Sequence, residues 1–438
     1  MTGVQTCALP IYPPAAGATT VLLLVLGACV LVGIVVAARS GAWPLLAYSI
    51  GVLVAAGIVC IISDPWIDAK ALAVASPAPL ILAFAGIASL ERELGRAVPA
   101  ILALLVAGGM VWTDARAYHD ATLTPHSRHQ ELADIGRRFS ARRPALMTEY
   151  DPWGARWFLR RMEGEGASEL RYRVVPLLDG SQTPKTTTAD IDRYQLGGLL
   201  EYRALVLRRS PLSSRPPSPF HLAWTGRYYE VWLRSATPSA VLRHLPLGGA
   251  TSAGSTASCA ATRRLAQLAS PGGRLLAAPA RAPAVAGLDR AARPAAWVAA
   301  PGVDGAVLPF GAGTATIGVR VPRAGRYDVW LGGAVKSRTT VTVDGTRTAT
   351  LRSDLQYGGQ WLPAGALTLR AGAHVINVRS DGGDLLPASG SGGGGEPFAI
   401  GPVALSLARP RGALLSVVPA RARSLCRGPL DWIEAVRP

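Results

Sequence analysis

The sequence is poor in charge, in lysine and in cysteine. Only 17% of its 438 residues are charged, against 49% hydrophobic, and its mean hydropathy is +0.26. That balance is too apolar for an ordinary soluble domain. Lysine occurs only as Lys70, Lys185 and Lys336, so the basic excess is nearly all arginine. With abundant Ala, Gly and Pro, this is the residue usage of a GC-rich genome. Patterns that carry common chemistry are also missing. No glycine-rich phosphate loop follows a strand, and no nucleophile elbow surrounds Ser213 and Ser214. His119, His126 and His129 lie near Asp114 and Asp120, but without metal-ligand spacing. No catalytic residue, metal site or cofactor is assigned within the chain.

The net charge of +17 is unevenly placed. Up to residue 112, Arg39, Lys70, Arg92 and Arg96 balance Asp64, Asp68, Glu91 and Glu93. The excess lies entirely beyond that point, in a region expected to be exported, and no nucleic-acid partner is expected. Residues 1–11, MTGVQTCALPI, differ in composition from the rest of the chain and resemble translated sequencing-adapter read-through. Residues 1–12 are set aside as an artefact, and the chain is expected to be the C-terminal part of a longer protein.

Four apolar runs occupy residues 13–112: 21–38, Trp43–Ile62, 71–90 and Ala97–Trp112. A membrane-spanning helix needs about 20 apolar residues. The runs predict four transmembrane helices, the last of them short. The loops set the orientation. Arg39 lies in the first and Arg92 and Arg96 in the third, whereas the second, 63–70, carries Asp64, Asp68 and Lys70. The positive-inside rule then places 63–70 and everything after Trp112 outside the cytoplasm. The expected location is a multi-pass cell-membrane protein with an extracytoplasmic C-terminal region.

Beyond the membrane, periodicity predicts a small extracytoplasmic α/β domain over residues 113–240. Helices are expected at 126–140, 153–161 and 190–196, and strands at 145–150, 172–177 and 204–207. A hairpin, 220–224 with 228–234, turns at Thr225-Gly226. The pairs Arg137-Arg138, Arg142-Arg143, Arg160-Arg161 and Arg208-Arg209 are candidates for anionic headgroups or a lipid pyrophosphate; solvated faces are the alternative. Residues 241–290 read as a linker with a short helix. Cys259 and Cys426 are the candidate disulfide, since Cys29 and Cys60 lie within spans and Cys7 within the artefact.

From 291 to 438 short strands alternate with turns such as Asp344-Gly345, predicting a β-sandwich of jelly-roll type. The segments AGRYDVWLGG (324–333), TVTVDG (340–345) and RAGAHVINV (370–378) resemble, in this order, carbohydrate-binding β-sandwich modules. That resemblance implies envelope polysaccharide as a partner. Sugar binding needs an aromatic plane with polar neighbours. Trp361 is the candidate plane, with Asp354, Tyr357 and Gln360 beside it, whereas Trp330 is expected in the core and Asp344 in a turn. A sandwich that packs only on its own protein is the competing reading.

The order of spans, exported α/β domain and sandwich is similar to the C-terminal half of GT-C membrane glycosyltransferases. SDPWIDAKALAVASPAPL (63–80) resembles a late outer loop and span of their actinobacterial-type members. The resemblance implies a complete protein that moves a sugar from a polyprenyl-phosphate donor to a cell-envelope glycan. Asp64, Asp68 and Lys70 would then face the donor phosphate. The family's catalytic acidic residue belongs to an early outer loop with no counterpart here, and a divalent metal is left open for the complete enzyme only. The rival is a non-enzymatic, membrane-anchored polysaccharide-binding protein.

Overall fold

The computed structural model describes residues 16–63, 65–120, 126–248, 254–335, 338–352, 360–381, 399–408 and 414–437. These fall into two compact units, one up to residue 120 and one from residue 126 onward.

The first unit is helical: α1 (Ala16–Arg39), α2 (Trp43–Ile62), α3 (Pro65–Ala75), α4 (Pro77–Ser89), α5 (Glu91–Leu94) and α6 (Ala97–Asp120). Among the described residues three segments are long and apolar enough to cross a membrane: Thr20–Arg39, Trp43–Ile62 and Lys70–Leu94. The fourth expected span, Ala97–Trp112, is a shorter apolar stretch within the longer α6. Large apolar side chains face outward, among them Leu24 (68% exposed), Ile61 (82%) and Leu104 (72%). Such a surface is stable against lipid tails and costly against water.

The expected polar loop 63–70 is shorter than its composition suggests, because α3 begins at Pro65. Proline is favoured in the first helical turn, and Asp68 in that turn complements the helix dipole. Pro77 then separates α3 from α4, since it has no N–H to continue the ladder. Where α1 crosses α4, glycine is obligatory. A Cβ on Gly33 would sit 1.9 Å from the Leu82 carbonyl oxygen, and one on Gly86 would sit 2.4 Å from that of Cys29. Small-residue contact of this kind is what favours helix association in lipid, where no hydrophobic drive acts between helices.

The second unit opens with α7 (His126–Arg138). It continues through β1 (Ala145–Met147), α8 (Pro152–Phe158), β2 (Gly164–Gly166), α9 (Leu196–Leu199), β3 (Ala204–Arg208), β4 (Phe220–Thr225) and β5 (Tyr229–Arg234). These strands form a sheet in the order β2-β1-β3-β5-β4, parallel through β2-β1-β3 and antiparallel beyond. Alternation puts Met147, Val206 and Val231 against α7 and α8. Leu146, Leu205 and Trp232 face the other layer, with Tyr194 and Tyr202. Glu131 on α7 fixes the β4–β5 turn, accepting from the backbone N–H groups of Arg227, Tyr228 and Tyr229 at 2.8–2.9 Å.

The strand expected at 172–177 is absent. The N–H groups of Tyr172 and Arg173 donate instead to the buried Glu165 carboxylate, each at 3.0 Å, and β2 takes the edge of the sheet. Residues 241–290, expected as a linker, supply strands. These are β6 (Ala240–Pro246), β7 (Ser255–Thr256), β8 (Arg274–Pro279) and β9 (Ala284–Ala286), with α10 (Cys259–Ala269) among them.

The sandwich comprises β9, β10 (Trp297–Ala299), β11 (Val307–Pro309), β12 (Gly313–Val321), β13 (Gly325–Gly333), β14 (Thr339–Val343), β15 (Thr346–Leu351), β16 (Trp361–Leu369), β17 (Gly372–Ser380) and β18 (Ile400–Leu407). One sheet runs β10-β11-β18-β13-β16, with β9 on β18; the other runs β12-β17-β14-β15. Val319, Val341, Ile376 and Val378 meet Val329, Leu331, Leu362 and Leu405 between them. At the β14–β15 turn both Asp344 (φ 49°) and Gly345 (φ 76°) are left-handed, the pattern a two-residue hairpin requires. Asp344 also accepts from the Val375 N–H at 2.9 Å, so it is a turn residue as expected. The chain returns through β19 (Leu415–Val417) and β20 (Pro429–Arg437), which join β8 and β6 in the order β19-β8-β20-β6, with β7 also on β20. Cys259 on α10 and Cys426 are joined by a disulfide, with Cα atoms 5.4 Å apart.

Candidate functional site

The site forms where the α/β sheet meets the outer face of β13, β16 and β18. The turn-rich stretch RSPLSSRPPSP (209–219) cannot continue β3. It leaves Leu212 packed on Trp330, Trp361 and Ala404 instead. Arg208, at the end of β3, donates to the Trp361 carbonyl oxygen at 3.3 Å. Its guanidinium lies 4.9 Å from the Tyr228 ring centre. Arg209 stacks 5.2 Å above Trp330 while donating to the Gly226 carbonyl oxygen at 2.8 Å.

Two clefts flank this contact. The narrower holds about 100 Å³ and is walled by Glu149, Asp190, Arg208, Ser210, Gln360 and Trp361, among others. Its carboxylates are committed. Glu149 accepts from Arg128 at 2.9 Å and from the Tyr229 hydroxyl at 2.6 Å. Asp190 accepts from the N–H groups of Asp192 and Ser214, both at 3.1 Å. Burial, and then the neighbouring Glu149 charge, push the Tyr229 phenol well above its ordinary range. Gln360 is different. It is 7% exposed, and among the described residues neither its Oε1 nor its Nε2 has a hydrogen-bond partner. A buried amide left this way costs about 1–3 kcal/mol. The wider groove holds about 420 Å³, with Arg209, Arg227, Asp328, Trp330 and Thr348 in its wall.

Two charged clusters brace the α/β sheet. Asp151 caps α8 through the Gly154 N–H at 2.9 Å and meets His129 at 2.8 Å. Burial works to raise its carboxyl, but the His129 hydrogen bond, the Arg128 charge and the Gly154 N–H together hold it below the usual range. On the other side His244 of β6 is clamped between carboxylates. Its Nδ1 lies 2.8 Å from Glu434 Oε1 and its Nε2 lies 3.2 Å from Asp192 Oδ1. Burial alone would lower this imidazole; the two acids outweigh it and raise it to about 9. Burial pushes Asp192 up to about 7 against the pull of His244. A lone histidine in AVLRHLP gives no sign of this clamp, because Asp192 and Glu434 are distant in sequence.

The structure brings some of the sequence candidates together and separates others. Gln360 and Trp361 share the narrow cleft. Trp361, expected as an exposed plane, is only 4% exposed, because Leu212 and Trp330 cover it. Asp354 and Tyr357 lie outside the described residues, as does Asp64. Asp68 stands in the first turn of α3, and one carboxylate oxygen is buried without a hydrogen-bond partner among the described residues. Lys70 is exposed two residues on, a spacing that turns the two side chains to different sides of the helix. The most exposed aromatic planes of the second unit, among its described residues, lie on α8 and beside it. Trp153, Trp157 and Tyr172 are 75%, 65% and 78% exposed. The four-residue spacing of the two tryptophans was the available signal.

No protein-family model and no curated protein sequence matches the chain. Similar solved structures include a family 35 carbohydrate binding module from Clostridium thermocellum. That match has 15% identity and a TM-score of 0.22, covering 29% of this chain and 99% of that one. A second is the Cellvibrio mixtus lichenase 5A module CBM6cm-2 in complex with cellotriose, at 13% identity and TM-score 0.21, covering 29% and 98%. A third is the Podospora anserina GH26-CBM35 β-(1,4)-mannanase, at 17% identity and TM-score 0.21, covering 30% of this chain. The chain spans 28% of that mannanase. No binding residue of this chain is assigned from these structures.

Proposed function

We propose that the chain is a membrane-anchored protein of the cell envelope that binds polysaccharide in the narrow cleft at Gln360. The observation that carries this reading is the buried Gln360 amide, which offers one donor group and one acceptor to the cleft and finds a partner for neither among the described residues. A sugar hydroxyl both donates and accepts, so a single ring edge answers both atoms. The test is titration of the full chain with arabinan, mannan and galactan oligosaccharides, followed by tryptophan fluorescence. Gln360→Ala should weaken the oligosaccharide that binds by roughly 3–10-fold, the worth of one or two neutral hydrogen bonds. No binding at millimolar glycan would end the carbohydrate reading; binding unaffected by Gln360→Ala would move it away from this cleft.

In this proposal residues 13–112 supply four spans, Ala97–Trp112 among them, and everything after Trp112 lies outside the cytoplasm. The α/β domain is then 113–240, and the carbohydrate-binding sandwich lies within 291–438 apart from its strand β9, Ala284–Ala286. The arginine balance of the loops supports that orientation, and so does the Cys259–Cys426 bond, since disulfides persist outside the cytoplasm. A fuller reading makes the complete protein a glycosyltransferase that takes its sugar from a polyprenyl phosphate. Asp68 favours it, because among the described residues its buried oxygen lacks a hydrogen-bond partner, just before a candidate span. Lys70 would serve there as a point charge for phosphate. Photocrosslinking with a polyprenyl-phosphate sugar analogue checks this. Labelling within α3, lost in Lys70→Ala, supports a donor site, and labelling elsewhere refutes it.

A further inference from the structure

The exposed aromatics of the α/β sheet lie in a basic setting that neither cleft explains. Trp153 and Trp157 sit four residues apart on α8 and so share one face. Arg160 stacks 5.1 Å above the Trp157 ring. Arg156 lies 4.8 Å above the Tyr172 ring and donates to its hydroxyl at 2.8 Å. Arg161 is exposed alongside. Among the described residues no carboxylate lies within ion-pair distance of Arg156, Arg160 or Arg161. Three uncompensated cations and three exposed amphipathic rings therefore form one surface.

We propose that this surface rests on an anionic lipid bilayer, its rings at headgroup depth and its guanidinium groups on lipid phosphates. Tryptophan and tyrosine favour that depth because one end of the ring is apolar and the other hydrogen-bonds. Arginines beside them gain from the negative surface potential of the leaflet. The chain carries three candidate membrane spans, and only residues 121–125 separate α6 from α7. On the membrane-anchored reading proposed above, a lipid surface is within reach at an effective concentration no soluble glycan matches. A glycan platform is the less suited occupant: the ring faces that a pyranose would cover already carry guanidinium groups on Trp157 and Tyr172.

The experiment uses the full chain in lipid nanodiscs, with brominated phosphatidylcholine as the quencher, with and without phosphatidylglycerol. The tryptophan emission lost in Trp153→Phe/Trp157→Phe isolates these two rings from the others. The expected result is that this difference emission is blue-shifted and quenched by the brominated lipid, more so with phosphatidylglycerol, and that high salt reverses the gain. The variant Arg156→Gln/Arg160→Gln/Arg161→Gln, at one half-buried and two exposed positions, should lose the quenching while unfolding within a few degrees of the parent. Water-like, unquenched difference emission overturns the proposal. So does emission that responds to envelope oligosaccharides but not to lipid, which would make the surface a glycan platform instead.

Discussion

The two sheets of the sandwich share a core but differ on their outer faces. In the sheet of β12 and β17, buried and exposed residues alternate, so Val319 and Val321 point inward while Arg320 points to solvent. In the sheet of β13 and β18, burial runs almost without a break from Val329 to Gly333 and from Val403 to Ser406. The first is a sheet with one wet face; the second is covered on both faces. The difference shows that the sandwich is not an independent module carried at the end of the chain. Its covered face is part of the packing of the α/β sheet, and the candidate clefts exist only because that face is covered.

The largest way to break this contrast is Trp361→Ala. It should cost about 3–5 kcal/mol, as for other buried tryptophans, and denaturant unfolding should show the α/β sheet and the sandwich destabilised together. If the sandwich alone is affected, the covered face is not structurally coupled. Next is Cys259→Ser, which removes a bond closing 167 residues of sequence and should cost about 2–4 kcal/mol. Hydrogen exchange should then rise in β8 and β20 and stay unchanged in β12 and β17.

A smaller effect comes from pH. The folded value for His244, about 9, lies above the ordinary 6.5, so its contribution is complete below about 6.5 and lost as pH rises through 9. Asp192, also raised, works in the same direction at lower pH. Thermal unfolding followed from about pH 7.5 to 10 should show a decline of roughly 2 kcal/mol, and His244→Gln should flatten it. A decline of equal size in the variant would remove the clamp from the account. Smallest of all, Arg320→Ala on the wet face should change stability by less than about 0.5 kcal/mol. A larger cost would mean that this face, too, has a partner.

The same contrast explains what the sequence made legible. β12, β14 and β17 were readable because one wet face imposes a period of two, and Asp344-Gly345 announces its own turn. Trp330 is expected in the core and is buried, but against Leu212 rather than between the two sheets, a contact that no local pattern encodes. β2 was invisible because Gly-Glu-Gly has no strand preference; pairing with β1 and the network around Glu165 make it one. β6 was lost among Ser, Thr, Gly and Pro, since its partner β20 lies at the far end of the sequence. Of the candidate residues, Gln360 and Trp361 share the narrow cleft, but Trp361 is buried where an exposed plane is expected. A tryptophan flanked by glycines and proline reads as a loop residue until the surface that covers it is known.

The crossing of α1 and α4 has a mechanical meaning. Because Gly33 and Gly86 leave no side chain between the backbones, the spacing there is set by main-chain atoms and has no compressible layer to absorb strain. In a bilayer, single helices adapt to thinning or thickening by tilting at modest cost. Two helices in backbone contact, as here, would tilt as a pair and not slide past each other.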